Sequence, residues 1–278
     1  MPALGRIERL LQNERVLVLS MLAVVVVASW LFLLAGAGTG MSAYSMTSMP
    51  MALGLTERVP IALATPAAWT VGYAAIMVTM WWVMMTAMML PSASPMILLH
   101  AKVAGDASAR AGAPASSRPT AAFLAGYLLM WGAFSVLAAA MQWLVEAAGV
   151  LSPMMMNSTN DLFAGLVLLY AGVYELTPIK HACLRHCRGP LQFLSQHWRE
   201  GSFGAFRMGL NHGLYCLGCC WGLMLILFFG GLMNLYWIVG LALLVLLEKL
   251  MALGHVIARL TGGALILGGT FFIVRFLG

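Results

Sequence analysis

Charge is the scarcest property of this chain. Of 278 residues only 9% are Asp, Glu, Lys or Arg, while 62% are hydrophobic, and the mean hydropathy is +0.92. A soluble domain carries about 25% charged residues, so a water-soluble globular protein is excluded. No Walker A motif and no dinucleotide fingerprint occur, which leaves no basis for an ATP-driven pump or a nucleotide cofactor. No internal repeat is visible, so inverted transporter halves are not proposed. No Ser-His-Asp arrangement and no suitably spaced carboxylate pair is found, so no catalytic residue is assigned and the chain reads as a binding or transport protein rather than an enzyme. The net charge of +6 is better explained by membrane topology than by nucleic acid, which is not expected as a partner.

What is present is apolar length. Runs at 16–37, 67–90, 121–147, 160–177, 208–231, 235–253 and 257–276 predict seven transmembrane helices, because about 20 apolar residues span a ~30 Å hydrocarbon core. The fold class is therefore all-α: a polytopic helical bundle in one membrane domain over 1–278, with the lipid bilayer as its first partner. The first run is too long for the h-region of a signal peptide and lacks a convincing cleavage site, so it reads as a retained anchor. Of the 15 Lys and Arg, only Arg58 and Arg275 fall outside if the N-terminus is inside, which sets the orientation N-in, C-out in a bacterial cytoplasmic (inner) membrane. Pro91 and Pro95 are expected to end or bend the second span, and residues 103–120 to form a flexible connector. Residues 178–207 mix Cys, His, Trp and Phe with positive charge and read as an ordered cytoplasmic interfacial element. Asp161, after Ser158 and Asn160, is placed to cap the fourth span. The turn around Met233 to Leu235 should join the fifth and sixth spans as a hairpin.

The fifth span carries "NHGLYCLGCCWGLM", residues 211–224. Residues three and four apart share a helical face, so Met208, His212, Cys216, Cys219, Cys220 and Met224 make one stripe of soft donors, about 24 Å long at 1.5 Å per residue. Thiolate and thioether ligands favour Cu(I), while zinc also accepts thiolate and imidazole. Alternatively, Cys acts as a small buried hydrophobe, with Gly213, Gly218 and Gly222 admitting close helix packing. Polar and reactive groups in a membrane segment are functional candidates. The second span adds a stripe of Met77, Met80, Met84 and Met88, flanked by Met85 and Met89, which serves either as core filling or as thioether ligands facing the fifth span.

Two further regions repeat the theme. The inner segment has "HACLRHC", with His181, Cys183, His186 and Cys187; it reads as a small zinc or copper site, an exchange point, or a surface cluster with no ligand. The outer loops hold Met41, Met46, Met49 and Met51, then Met154, Met155 and Met156. Thioethers bind Cu(I) without deprotonation, so these loops suit monovalent copper, or else pack against lipid. Glu175 near the inner end of the fourth span could bind a proton or an ion, or bond structurally to a neighbouring helix; Glu248 could pair with a local cation.

The stretches "MWWVMMTAMMLPS" (Met80–Ser92), "TPIKHACLRHCRGP" (Thr177–Pro190) and "NHGLYCLGCCWGLM" with "GGLMNLYW" (Asn211–Trp237), followed by Glu248-Lys249, resemble a bacterial family of predicted metal-binding integral membrane proteins, a domain of unknown function. The resemblance implies metal binding at the matching Cys, His and Met positions. The leading expectation is copper(I) transport or delivery, with zinc as the other metal and a metallochaperone or membrane-complex subunits as partners. Two other readings stand: a membrane thiol–disulfide oxidoreductase using the C-x-x-C of Cys216 and Cys219, and a non-catalytic subunit with a structural metal. Against the redox reading, no Cys falls in an outer segment.

Overall fold

The computed structural model describes residues 2–39, 42–52, 68–112, 116–151, 156, 158 and 160–278, with side chains from 16 onward except at 49–52. The elements in order are α1 (Pro2–Leu34), α2 (Ala43–Ala52), α3 (Val71–Arg110), α4 (Arg118–Ala147), α5 (Asp161–Glu175), α6 (Pro178–Arg188), α7 (Pro190–His197), α8 (Gly201–Met224), α9 (Ile226–Gly230), α10 (Leu235–Leu250) and α11 (Gly254–Leu277). Among the described residues there is no strand, only an isolated bridge between Leu151 and Ser158. Met41, Arg58, Met154 and Met155, and the side chains of Met49 and Met51, lie outside what the structure describes.

Five segments are long and apolar enough to cross a membrane: Val16–Leu34, Val71–Arg110, Arg118–Ala147, Gly201–Gly230 and Gly254–Leu277. Helices α5 and α6 pass that test only as a pair, bent by 62°. The runs at 160–177 and 235–253 form the shorter helices α5, of 15 residues, and α10, of 16. Val24, Leu137, Leu267 and Phe271 project outward, fully or largely exposed. So large an apolar exterior is unfavourable in water and compatible with a membrane protein.

The sharpest departure from the sequence expectation is α3. It does not stop near Pro91; it runs through Pro91 and Pro95 to Arg110 and takes in much of the expected connector. The reason is local. Pro95 has no N–H to reach the Pro91 carbonyl, and Ser94 Oγ donates to that oxygen instead at 2.8 Å. Ser92 Oγ donates to Met89 O at 2.8 Å, a carbonyl that neither proline frees. Hydroxyls that take up freed carbonyls are how membrane helices tolerate proline. A second departure is the cap of α5. Asn160, not Asp161, is the N-cap, its Oδ1 accepting from Leu162 N and Phe163 N at 2.8 and 3.2 Å, and Asp161 is the first helical residue. Thr177 then caps α6, with Pro178 at its first position, where the missing N–H costs nothing.

Helix α8 runs through the middle of the bundle and packs chiefly on α4 and α6. The α4 contact is backbone to backbone: a Cβ built on Gly209 would lie 1.9 Å from Phe123 O, and one on Gly126 would lie 2.2 Å from Phe206 O. Small residues permit this approach, as is usual between membrane helices. The expected role of Gly213, Gly218 and Gly222 is realised against three different helices, at Met130 of α4, Cys183 of α6 and Tyr174 of α5. Helix α3 packs against α1, α4 and α10. On its α4 side, Trp81 Nε1 donates to Gln142 Oε1 at 2.9 Å, and Gln142 Nε2 donates to Glu146 Oε1 at 2.8 Å. Trp69 Nε1 donates to the other Glu146 oxygen at 2.8 Å, so this buried carboxylate is held on both sides.

Candidate metal centre

The buried face of α8 presents Cys216, Cys219 and Cys220, exposed by 0%, 1% and 1%. The bend of 62° between α5 and α6 aims α6 across α8, so that Cys187 reaches Cys219, Sγ to Sγ 3.8 Å. From α3, Met89 places its sulfur 3.7 Å from Cys220 Sγ. From α10, Lys249 Nζ stands 3.0 Å from Cys216 Sγ and 3.1 Å from Ser92 Oγ. From α4, Tyr127 OH lies 3.2 Å from Cys216 Sγ and 3.3 Å from Met89 O. Five helices thus meet at one cluster of sulfur. The Cys219 and Cys220 thiols donate to Cys216 O at 3.1 and 3.0 Å, and all five cysteines are free.

The donor set is soft: four thiols and a thioether. Separations of 3.7 and 3.8 Å match two sulfurs on one ion with bonds of about 2.3 Å at a tetrahedral angle. Among the described residues no three or more His, Cys, Asp or Glu side chains close around one point as a finished metal cage. The arrangement is one of paired sulfurs, each pair joining two helices.

The remaining candidate residues are distributed around this cluster. His212, one turn before Cys216, is buried with its ring stacked against Phe123 and Tyr127 at 6.0 and 5.7 Å, and its Nδ1 has no hydrogen-bond partner among the described residues. Cys183 is half-buried against Gly218. The His186 ring lies parallel to Tyr215 at 4.2 Å and its Nδ1 is 2.9 Å from Ala182 O, a structural arrangement. His181 is half-buried on α6. Met208, Met224, Met80, Met84 and Met88 are all buried in the core. On α3 it is the sulfur of Met89 that meets a thiol.

Sequence reasoning missed the role of Lys249, Tyr127 and Ser92 and treated Met89 as flanking. Lys249 did carry a signal, since an ammonium inside an apolar run demands a partner. Tyr127 and Ser92 carried none, because nothing in α4 or beside Pro91 points to Cys216.

A second polar cluster adjoins the first. Lys180 of α6 is fully buried and pairs with Glu175 of α5 and with Glu248 of α10, the latter at 2.8 Å. Among the described residues, Glu175 Oε1 and Glu248 Oε1 have no hydrogen-bond partner. Of the two roles open to Glu175, bonding to a neighbouring helix is therefore the one seen, and Glu248 does pair with a cation.

A helical protein with a buried soft-donor cluster belongs among metal-handling proteins by its chemistry. The family comparison gives the more particular assignment: residues 78–272 match the model described as "PpoB2: Copper chaperone", and the chain belongs to that family. This ties the chain to copper. No curated protein and no solved structure matches it.

Proposed function

We propose that the protein binds copper(I) at the thiol cluster and passes it on, as a chaperone or transporter in the bacterial inner membrane. The observation that carries this reading is the convergence of Cys187, Cys216, Cys219, Cys220 and Met89 from three helices. Soft sulfur donors select Cu(I) over harder ions. Paired sulfurs rather than a closed cage suit an ion that must leave again, because exchange needs an open coordination position for the recipient's ligand. The N-terminus and α6–α7 would lie on the cytoplasmic side, as the Lys and Arg distribution directs. The exchange partner would be a soluble metallochaperone or the subunit of a membrane complex, approaching through the half-buried Cys183 and His181 on α6. The outer methionines and the α3 stripe of Met80, Met84 and Met88 would collect or deliver the ion.

The test is metal analysis of detergent-purified protein handled anaerobically under reducing conditions. About one copper per chain, lost in Cys216→Ser, is expected. Zinc at the same stoichiometry would point to a structural metal. A titratable disulfide with no metal would point to thiol–disulfide exchange, and either result would end the copper reading.

A further inference from the structure

Resting on the copper reading, we propose that Lys249 is a specificity-determining residue: its ammonium sets the charge of the thiol cluster so that a monovalent soft ion, and not a divalent one, leaves the site neutral.

Lys249 has an unusual partner set for a buried ammonium. Lys249 is 5% exposed, and among the described residues no carboxylate pairs with it. Its Nζ is held by Ser92 Oγ and Cys216 Sγ. The thiol it meets belongs to a residue whose carbonyl accepts from Cys219 and Cys220, whereas the neighbouring carboxylates of Glu175 and Glu248 are turned to Lys180. A buried charge persists only when it is compensated. The group able to compensate Lys249 is thiolate, so the lysine belongs electrostatically to the sulfur cluster and not to the carboxylate cluster next door.

The charge balance then discriminates between ions. Two thiolates with a monovalent ion carry one net negative charge, which the ammonium cancels. Two thiolates with a divalent ion are neutral by themselves, and the ammonium leaves the site one charge positive. A third thiolate would restore neutrality for the divalent ion, but it requires one more buried thiol of the cluster to give up its proton. In an interior of low polarity an uncompensated charge is costly. Lys249 therefore opposes zinc and cadmium while accommodating copper(I) and silver(I), a discrimination that sulfur donors alone do not make, since all four ions are thiophilic. The lysine touches the ligand and not the ion, so it acts by positioning charge.

The experiment is a competition between Ag(I) and Cd(II), thiophilic ions that differ in charge, on the full chain purified anaerobically in detergent. Lys249→Met keeps the length of the side chain and removes the charge; it should shift the Ag(I):Cd(II) binding ratio at least about tenfold toward Cd(II). Lys249→Arg keeps the charge and should hold the ratio near that of the natural protein. Ser92→Asp leaves the lysine in place but gives it a carboxylate 3 Å or so away, judged by the present Ser92 contact of 3.1 Å, and should move the ratio in the same direction as Lys249→Met. If Lys249→Met does not fold, Ser92→Asp decides alone. A folded Lys249→Met or Ser92→Asp with an unchanged ratio overturns the inference while leaving copper binding standing. Failure of the natural chain to bind either Ag(I) or Cu(I) at all would instead remove the copper reading itself.

Discussion

Lys180 and Lys249 are both buried ammonium groups, yet one faces oxygen and the other sulfur. Lys180 joins α5, α6 and α10 through two carboxylates, and the triad has an excess of acid. Lys249, the next residue after Glu248 on α10, turns to a thiol and a hydroxyl. Hard oxygen partners suit a permanent ion pair that locks helices together. A polarisable sulfur partner can exchange one cation for another. The last turn of α10 thus presents Glu248 to the carboxylate–lysine cluster and Lys249 to the sulfur cluster, one residue apart along the helix.

The largest effect is expected where that latch is broken. Lys180→Met strands two buried carboxylates and should cost about 3–5 kcal/mol, the usual penalty for an uncompensated buried charge. Glu175→Gln leaves a neutral Lys180–Glu248 pair and should cost less, about 1.5–3 kcal/mol, a charged hydrogen bond. Thermal unfolding in detergent measures both. Equal losses would mean that the triad does not act by charge balance. On the sulfur side the order reverses, with function suffering before stability. Cys216→Ser should lower copper affinity by roughly 100-fold or more, beyond the 10–100-fold of an outer-shell partner, with little change in the melting temperature. A matched collapse in stability would make the cluster a packing device.

The smallest effect sharpens the comparison within one helix. Met89→Leu is nearly volume-conserving and should cost less than about 1.5 kcal/mol, yet it removes the thioether beside Cys220 and should weaken copper binding several-fold. Met84→Leu, in the same core, should leave the bound copper in place, since the thioether seen beside a thiol is that of Met89. If the α3 stripe conducts the ion, the Met84 variant will instead slow its delivery in vesicles. Copper affinity and delivery measured on the same preparations separate holding from passing.

Much of the fold was legible in advance because helix formation in an apolar chain is a local matter. The run at 67–90 needed only hydrophobicity to declare itself, while its cap at Thr70 came from the structure. Its far end was misjudged because proline's rule for soluble helices yields when Ser94 supplies the missing hydrogen bond. The stripe of Cys216, Cys219 and Cys220 was legible from spacing, because the 3.6-residue period puts them on one face whatever they meet. Which methionine they meet was not, since Met84, Met88 and Met89 differ only in the direction each takes off α3.

By itself, then, the order of residues determined the helices, the shared face of the α8 thiols and the abundance of soft donors, because each depends on neighbours within a turn or two of chain. Tertiary structure alone decided that Cys187 and Met89 complete the cluster, that Lys180 gathers Glu175 and Glu248, and that Lys249 faces Cys216. Those partners lie 32, 131, 5, 68 and 33 residues apart in the chain. Most of these separations exceed a few helical turns, so no periodicity records the meeting, which is set by how glycine-lined helices pack and by the need of each buried charge for an opposite one.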